Sequence, residues 1–281
     1  MHQRLLVSVV LFACALNACA EDTAKRTRLV LGATTSIDDT GLLDVIIAEF
    51  ARRHPEIEIS GVALGTGQAL ELGRRGDADV LLSHDSAAEA LLVAEGTARE
   101  RRSVMYNFFV IAGPEADPAR VRGARAVTAF RAIADSKSSF VSRGDDSGTH
   151  RREQSLWHEL SVDPRGQSWY VEAGVGMGDA LLLAGQKRAY ILSDRATFLR
   201  FKPRMDLAIL SDQDARLLNP YGVTVLDGKR ASAATVFADW ITGEEAQRLI
   251  GNFGRAEFGQ ALFHPSARGA ARDDTIPIGE R

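Results

Sequence analysis

Four short runs of hydroxyl and glycine residues have the composition of an anion-holding surface. They are Ala33-Thr34-Thr35-Ser36-Ile37-Asp38-Asp39-Thr40-Gly41, Gly65-Thr66-Gly67-Gln68, Ser142-Arg143-Gly144-Asp145-Asp146-Ser147-Gly148-Thr149-His150 and Gly174-Val175-Gly176-Met177-Gly178. Each falls between a strand-like run and the start of a helical pattern, where free backbone N–H groups and the positive end of the helix dipole attract negative charge. Arg143 adds a permanent cation whose rigid fork of donors suits an oxyanion. With Ser147, Gly148 and Thr149 it reads as a socket for a tetrahedral anion. Plainer readings stand beside these. Ser36 and Asp39 have capping-box spacing, the two glycine runs can be turns, and Arg143 can pair with Asp145 or Asp146 at the surface.

Nucleophilic and metal chemistry find less support. The sequence lacks H-E-x-x-H, G-x-x-x-x-G-K-[ST], G-x-S-x-G and G-x-G-x-x-G. Ser147 and His150 lie close together, but residues three apart on one helix rarely give triad geometry. A secreted serine hydrolase built on that pair is therefore a remote alternative to a binding protein. His84, His54 and His158 have no partner at metal-ligand spacing, so no resident metal is expected.

The elements that must position these runs alternate between strand and helix, which argues for an α/β fold with mostly parallel sheets. Leu29–Ala33 reads as a strand. Leu42, Leu43, Ile46, Ile47 and Phe50 share a helical face, and Ile57, Ile59 and Val62 alternate as a half-buried strand. Further elements are expected as a helix from Ala69 to the glycines Gly73 and Gly76, a strand over Ala78–Leu82, a helix over Ala87–Ala94 and an apolar run over Met105–Ala112. A second set follows: helix Ala126–Ala134, strand Phe140–Ser142, helix Ser147–Leu160, helix Met177–Gln186 and strand Ala189–Leu192. Tyr221–Leu226 is a β-branched run, and Ala231–Phe253 reads as closing helices broken near Thr242-Gly243. No linker separates two halves. Two lobes joined by segments crossing near Asn107–Ala112 and Asn219–Val225 fit this pattern, with lobe 1 at 29–107 and 222–266, lobe 2 at 111–218 and a loose tail at 267–281.

The balance of the chain narrows the classes further. At 281 residues, with 45% apolar and 25% charged residues, it has the composition of a globular protein with a substantial core. Lys and Arg number 34 against 37 Asp and Glu, so there is no basic field for nucleic acid. The two cysteines, Cys14 and Cys19, both lie in the first twenty residues. There a short positive start and the apolar run Leu5–Leu16 read as a signal peptide, residues 1–20, too short for a membrane anchor. Ala18-Cys19-Ala20 offers cleavage to a soluble protein, and Leu16-Asn17-Ala18-Cys19 offers lipidation at Cys19. Both export the chain, so a periplasmic protein, soluble or lipid-anchored at Cys19, is expected.

With these runs in order, the chain resembles the tungstate-binding proteins of bacterial ABC importers, a branch of the two-lobed periplasmic solute-binding proteins. The matching stretches include Thr34-Thr35-Ser36 with Thr40-Gly41-Leu42-Leu43, Gly65 to Leu70, Gly76 to Leu82 and Met105-Tyr106-Asn107. They continue through Phe140 to His150, Glu172-Ala173-Gly174 with Gly176-Met177-Gly178, and Asn219-Pro220-Tyr221-Gly222-Val223. The family's hydroxyl run often begins where this chain has Ala33, and Ile37 is not a hydroxyl residue. That bears on one or two contacts and not on the socket.

The resemblance implies a type II periplasmic-binding-protein fold, two mostly parallel sheets joined by crossing hinge strands. It implies a tungstate dianion held by Thr34, Thr35, Ser36 and Thr66 from one lobe and by Arg143, Ser147, Gly148, Thr149, Gly176 and Met177 from the other. It also implies a monomer without cofactors that delivers its ligand to an ABC permease in the inner membrane. A buried dianion needs its charge answered by donors already in place. Five to seven charge-assisted hydrogen bonds, each worth on the order of 1.5 to 3 kcal/mol, would exceed the roughly 12 kcal/mol of nanomolar binding before ordering costs. Molybdate is nearly the same ion in size and charge, and phosphate would need an acceptor for its proton, for which Asp145 or Asp146 is the candidate.

Overall fold

The computed structural model describes residues 26–267; the expected signal peptide, Cys19 and all but the first residue of the expected tail lie outside them. The described chain opens on β1 (Thr27–Thr34), a single helical turn α1 (Thr35–Asp38) and α2 (Leu42–Arg53). Gly41 joins α1 to α2 at φ +80°, a left-handed conformation that glycine adopts without a Cβ clash. Next come β2 (Ile57–Leu64), α3 (Thr66–Arg74), β3 (Val80–Ser83) and α4 (Ser86–Ala94). β1 lies between β2 and β3 and is parallel to both, with Leu31 opposite Gly61 on one side and Val80 on the other. A central parallel strand is covered on both faces, which accounts for the unbroken apolar run whose Leu29, Leu31 and Ala33 are fully buried. The apolar stripe of α2, Leu42, Leu43, Ile46 and Phe50, packs into the same core.

β4 (Ala98–Gly113) is then followed by α5 (Ala126–Asp135), β5 (Phe140–Ser142), α6 (Gly148–Glu159), β6 (Tyr170–Glu172) and α7 (Met177–Lys187). β7 (Ile191–Asp194), α8 (Arg195–Phe201), β8 (Ala208–Ser211) and β9 (Leu218–Leu226) lead into the closing elements α9 (Ala231–Ile241), α10 (Glu244–Asn252), α11 (Arg255–Phe258) and β10 (His264–Pro265).

β4 is the strand that makes one molecule of two lobes. Its first two thirds run antiparallel to β9, from Ala98 opposite Leu226 to Phe108 opposite Leu218. From Phe109 onward it pairs with β7 and β8 instead. β9 in turn pairs antiparallel with β3, so β4 and β9 carry the chain between the sheets at Asn107–Phe108 and Leu218–Asn219. Strands joined through helices are parallel, as in β1–β2, β1–β3 and β5–β6, and antiparallel pairing enters wherever β4 or β9 takes part. The sheet is therefore mixed. Most buried apolar residues before Val104 or after Tyr221 gather with β1, β2 and β3, and those from Phe109 to Leu217 form two clusters around α5, α6 and α7. Among the described residues no helix is long and apolar enough to cross a membrane.

Candidate functional site

Thr34 ends β1 and Ser36 lies in α1, each only 2% exposed, while Thr35 is half-buried. The capping box expected from Ser36 and Asp39 does not form. Thr34 is the N-cap, it makes no side-chain cap bond, and Asp39 sits at the other end of the turn. The reason is length: α1 closes after four residues with Asp39 as its C-cap, and the long helix begins later, at Leu42, behind Gly41. Freed of capping, Thr34 Oγ1 meets Ser36 Oγ at 3.3 Å, and Ser36 Oγ meets the Tyr221 hydroxyl at 3.1 Å.

A second wall comes from the β5–α6 connection. Gly144 and Asp146 take φ +62° and +55°, turning the backbone sharply between Ser142 and the helix start. Ser147 is the N-cap of α6, its hydroxyl accepting the His150 N–H at 3.3 Å. Arg143 is 3% exposed, so it is a buried cation and not a surface one. One terminal nitrogen donates to Asp145 Oδ2, and Nε has no partner. Asp145 also accepts the Ser147 N–H at 3.2 Å, and Asp146 is engaged by Arg151 at 2.8 Å. Both candidate phosphate-proton acceptors are therefore already committed to arginines or backbone. Thr149 is 2% exposed and its hydroxyl has no partner.

The α7 start is tied to this wall through the Gly174 N–H, which donates to the Arg143 carbonyl at 2.7 Å. Gly176 is its exposed N-cap and offers no side-chain acceptor to the first N–H groups of the helix. The Met177 side chain lies in the core with Val110 and Leu181, which leaves its backbone N–H as the group available to a ligand.

Between the walls runs a relay that the sequence did not announce. The Gly148 N–H donates to Thr66 Oγ1 at 3.1 Å, and Thr66 Oγ1 lies 3.5 Å from His84 Nε2. His84 Nδ1 is 2.8 Å from Asn219 Oδ1. Asn219 Nδ2 donates to Asn107 Oδ1 at 2.7 Å and to the Tyr221 hydroxyl at 3.2 Å. Since Asn219 Oδ1 accepts, the His84 proton belongs on Nδ1 and Thr66 donates to Nε2. Tyr221, already accepting, then donates to Ser36; the Thr34–Ser36 bond takes one of their two hydroxyl protons and leaves the other free to donate. Burial holds the His84 ring well below its ordinary pKa, at about 4, and the nearby Arg143 charge works in the same sense. His84 is thus a neutral spacer whose ring lies 4.9 Å from that of Tyr221 and is tilted by 33° to it. Asn219 and Tyr221 are two residues apart on one strand, hence on one face, and Asn107 is the register partner of Asn219. That alternation was the available signal. His84 had none, because its role depends on the fold bringing Asn219 alongside it.

The lobes touch at this relay. Thr66 and Gly148 satisfy each other across the cleft, and Arg151 on α6 reaches Asp85, the N-cap of α4, at 3.0 Å. A cavity of about 390 Å³ runs along the seam, lined by His84, Phe109, Gly148, Arg152 and Asn219 among others. The Ser147–His150 pair has no catalytic geometry. The Ser147 hydroxyl caps backbone, His150 Nδ1 accepts the Asp146 N–H at 3.0 Å, and Nε2 faces Gln154 at 3.2 Å.

Two carboxyl groups complete the surroundings. Asp194 ends β7, is fully buried, and caps α8 by accepting the Thr197 N–H at 2.8 Å, while its Oδ2 has no partner. Asp39 is half-buried and its carboxyl is pushed up to about 6, first by burial and then by the charge of Asp194, with Arg143 opposing. Buried polar atoms are rarely left without a partner, and each such atom costs about 1 to 3 kcal/mol. Arg143 Nε, Thr149 Oγ1 and Asn107 Nδ2 all lack one here, and all three come from segments that adjoin the cleft. A ligand made of acceptor oxygens is what such a set of donors can bind.

Comparison with known proteins bears on the fold and the family. Residues 20–245 match the PBP superfamily domain. The chain is 41% identical over 280 residues to the tungstate-binding protein TupA of Peptoclostridium acidaminophilum, covering 94% of this chain and 97% of that one. It is 34% identical to TupA of Campylobacter jejuni, covering 78% of this chain and 84% of that protein. Among solved structures it superposes on TupA from Desulfovibrio alaskensis with a TM-score of 0.75 at 38% identity, covering 86% of this chain and 99% of that one. For the tungstate ABC transporter structure from Geobacter sulfurreducens the TM-score is 0.72 at 41% identity, with 80% and 98% covered. The chain belongs to the PBP superfamily and, within it, to the TupA family of solute-binding proteins.

Proposed function

We propose that this protein captures tungstate between its two lobes in the periplasm and hands it to the permease of an ABC importer. The observation that carries the reading is the buried Arg143, 3% exposed, whose Nε is unpartnered in company with the equally orphaned Thr149 hydroxyl. The names of relatives at 34 and 41% identity, tungstate-binding proteins, support tungstate as the cargo. Thr34, Thr35 and Ser36 hold the dianion from the first lobe. Arg143, Thr149 and the helix-start N–H groups near Ser147, Gly176 and Met177 hold it from the second. Thr66 and Gly148 join the walls by bonding to each other. The lobes are taken as 29–107 with 222–266 and 111–218, hinged where β4 and β9 cross, and the protein acts as a monomer whose lobes stay free to move.

The test is a thermal scan against tungstate, molybdate, sulfate and phosphate, together with an assay of ester and phosphoester turnover. A ligand at a thousand times its Kd stabilises by about 4 kcal/mol, and at about 2 to 4 °C per kcal/mol for a domain of this size the melting temperature rises by roughly 8 to 16 °C. We expect that rise with tungstate, and no turnover. A protein whose melting temperature ignores tungstate would contradict the proposal.

A further inference from the structure

One buried polar atom coupled to the charges of the socket is of the wrong kind. Arg143 Nε, Thr149 Oγ1 and Asn107 Nδ2 are orphaned groups that can donate, but Asp194 Oδ2 is an orphaned, fully buried carboxylate oxygen. A deprotonated tetrahedral dianion presents only acceptors, so an ionised Asp194 gains nothing from it and is repelled by it.

The charges around Asp194 make the conflict sharper. The groups that act on it are Arg143 from the β5–α6 connection, Asp39 from α1, the neutral Tyr221 from β9 and Thr197 of its own helix α8, while Asp145 pairs with Arg143, and Asp38 and Asp179 act on Asp39. Arg195 and Asp212, beside it on α8 and the end of β8, pair with each other. Arg143, the one cation of the socket itself, already bonds Asp145. A dianion added to ionised Asp194 and Asp39 would face an excess of negative charge with water excluded.

Accepting tungstate as the cargo, we propose that Asp194 is protonated when the site is filled and donates an O–H···O hydrogen bond to the oxyanion, so that the dianion enters together with one proton taken from solvent. The reaction balances as site carboxylate plus one proton plus dianion giving site carboxylic acid bound to dianion, with no other bond made or broken. Burial raises the Asp194 carboxyl above its ordinary range even in the unfilled site, which is the direction the scheme needs. The device also separates ions. Hydrogen phosphate carries its own proton and would meet an ionised Asp194 without taking one up, whereas tungstate, molybdate and sulfate must recruit it.

The experiment is calorimetric titration of tungstate at pH 7.5 in two buffers of different ionisation enthalpy, repeated from pH 6.5 to 8.5. About one proton should be taken up per tungstate, and affinity should fall about tenfold per pH unit on the alkaline side. Asp194→Asn, an isostere that donates without titrating, should bind tungstate with no proton uptake and a flat pH profile. Asp39→Asn should keep the uptake. Wild-type binding with no proton uptake and no pH dependence overturns the inference, as does an uptake lost in Asp39→Asn and kept in Asp194→Asn. If Asp194→Asn does not fold, the wild-type proton count and Asp39→Asn still decide. Absence of tungstate binding would refute the cargo instead, and the proton count would then be read with molybdate or sulfate.

Discussion

Arg143 has one terminal nitrogen tied to Asp145 and an Nε with nothing to bond, so its plane is fixed while part of its donor capacity stays open. Lysine at this position would keep the charge and lose the fork. Arg143→Lys is expected to weaken tungstate binding at least tenfold in calorimetric titration; an unchanged affinity would remove Arg143 from the ligand set. Gly148 is a different kind of residue, needed for what it lacks. A Cβ built there would lie 2.3 Å from His84 Cε1, where the two lobes meet. Overpacking of that sort costs about 1 to 3 kcal/mol, so Gly148→Ala should lower tungstate affinity roughly 10- to 100-fold while the melting temperature without ligand moves little. Equal losses in stability and affinity would mean that Gly148 matters to α6 alone. At this scale the socket was legible wherever chemistry follows from residue type, as in Arg143 beside Ser147 and Thr149. It was not legible at His84 or Asp194, because a histidine after a strand and an aspartate before a helix look like a loop residue and a cap until neighbouring strands are in place.

Among the elements, α6 connects the socket to the interior of its lobe. Two turns below the Ser147 cap, Glu153 is buried and accepts from Trp157 Nε1 at 3.0 Å and from the Tyr170 hydroxyl of β6 at 2.7 Å. Burial pushes its carboxyl up to about 7. The folded state therefore keeps a proton that the unfolded chain releases near pH 4.5, and stability from this group falls as pH rises from about 4.5 to about 7, by on the order of 2 to 3 kcal/mol. His84, held neutral with a depressed pKa, slopes the other way between about 4 and 6.5, so the informative quantity is a difference between proteins. Glu153→Gln, neutral at every pH, should gain stability relative to wild type as pH rises from 5 to 7 in chemical denaturation. A constant difference across that range would show that Glu153 does not titrate in it. The helices α2, α6 and α7 were readable because their apolar positions repeat at helical spacing. The opening half of β4 was hidden by Arg99, Glu100, Arg101 and Arg102; the arginines are answered by Asp227, Glu89 and Asp239 from outside the strand, and Glu100 pairs with Arg102 within it. β6 and β8 hold three and four residues, too few for any periodicity to show.

Over the whole molecule, the decisive feature is that β4 and β9 belong to both lobes, while α6 of one lobe rests on Thr66, His84 and Asp85 of the other. The sequence carried the alternation of strand and helix and the two crossing segments. The mixed pairing of the sheet and the relay from Gly148 to Thr34 exist only once those segments lie side by side. One location is expected for the ion, between the Thr34–Ser36 turn and Arg143. Anomalous diffraction at a tungsten absorption edge from crystals grown with tungstate measures this without reference to any mutation. A single strong peak within hydrogen-bonding reach of Arg143, Thr149 and Ser36 is the expected result, and a peak outside the interlobe cleft, in crystals whose cleft is empty, would contradict it.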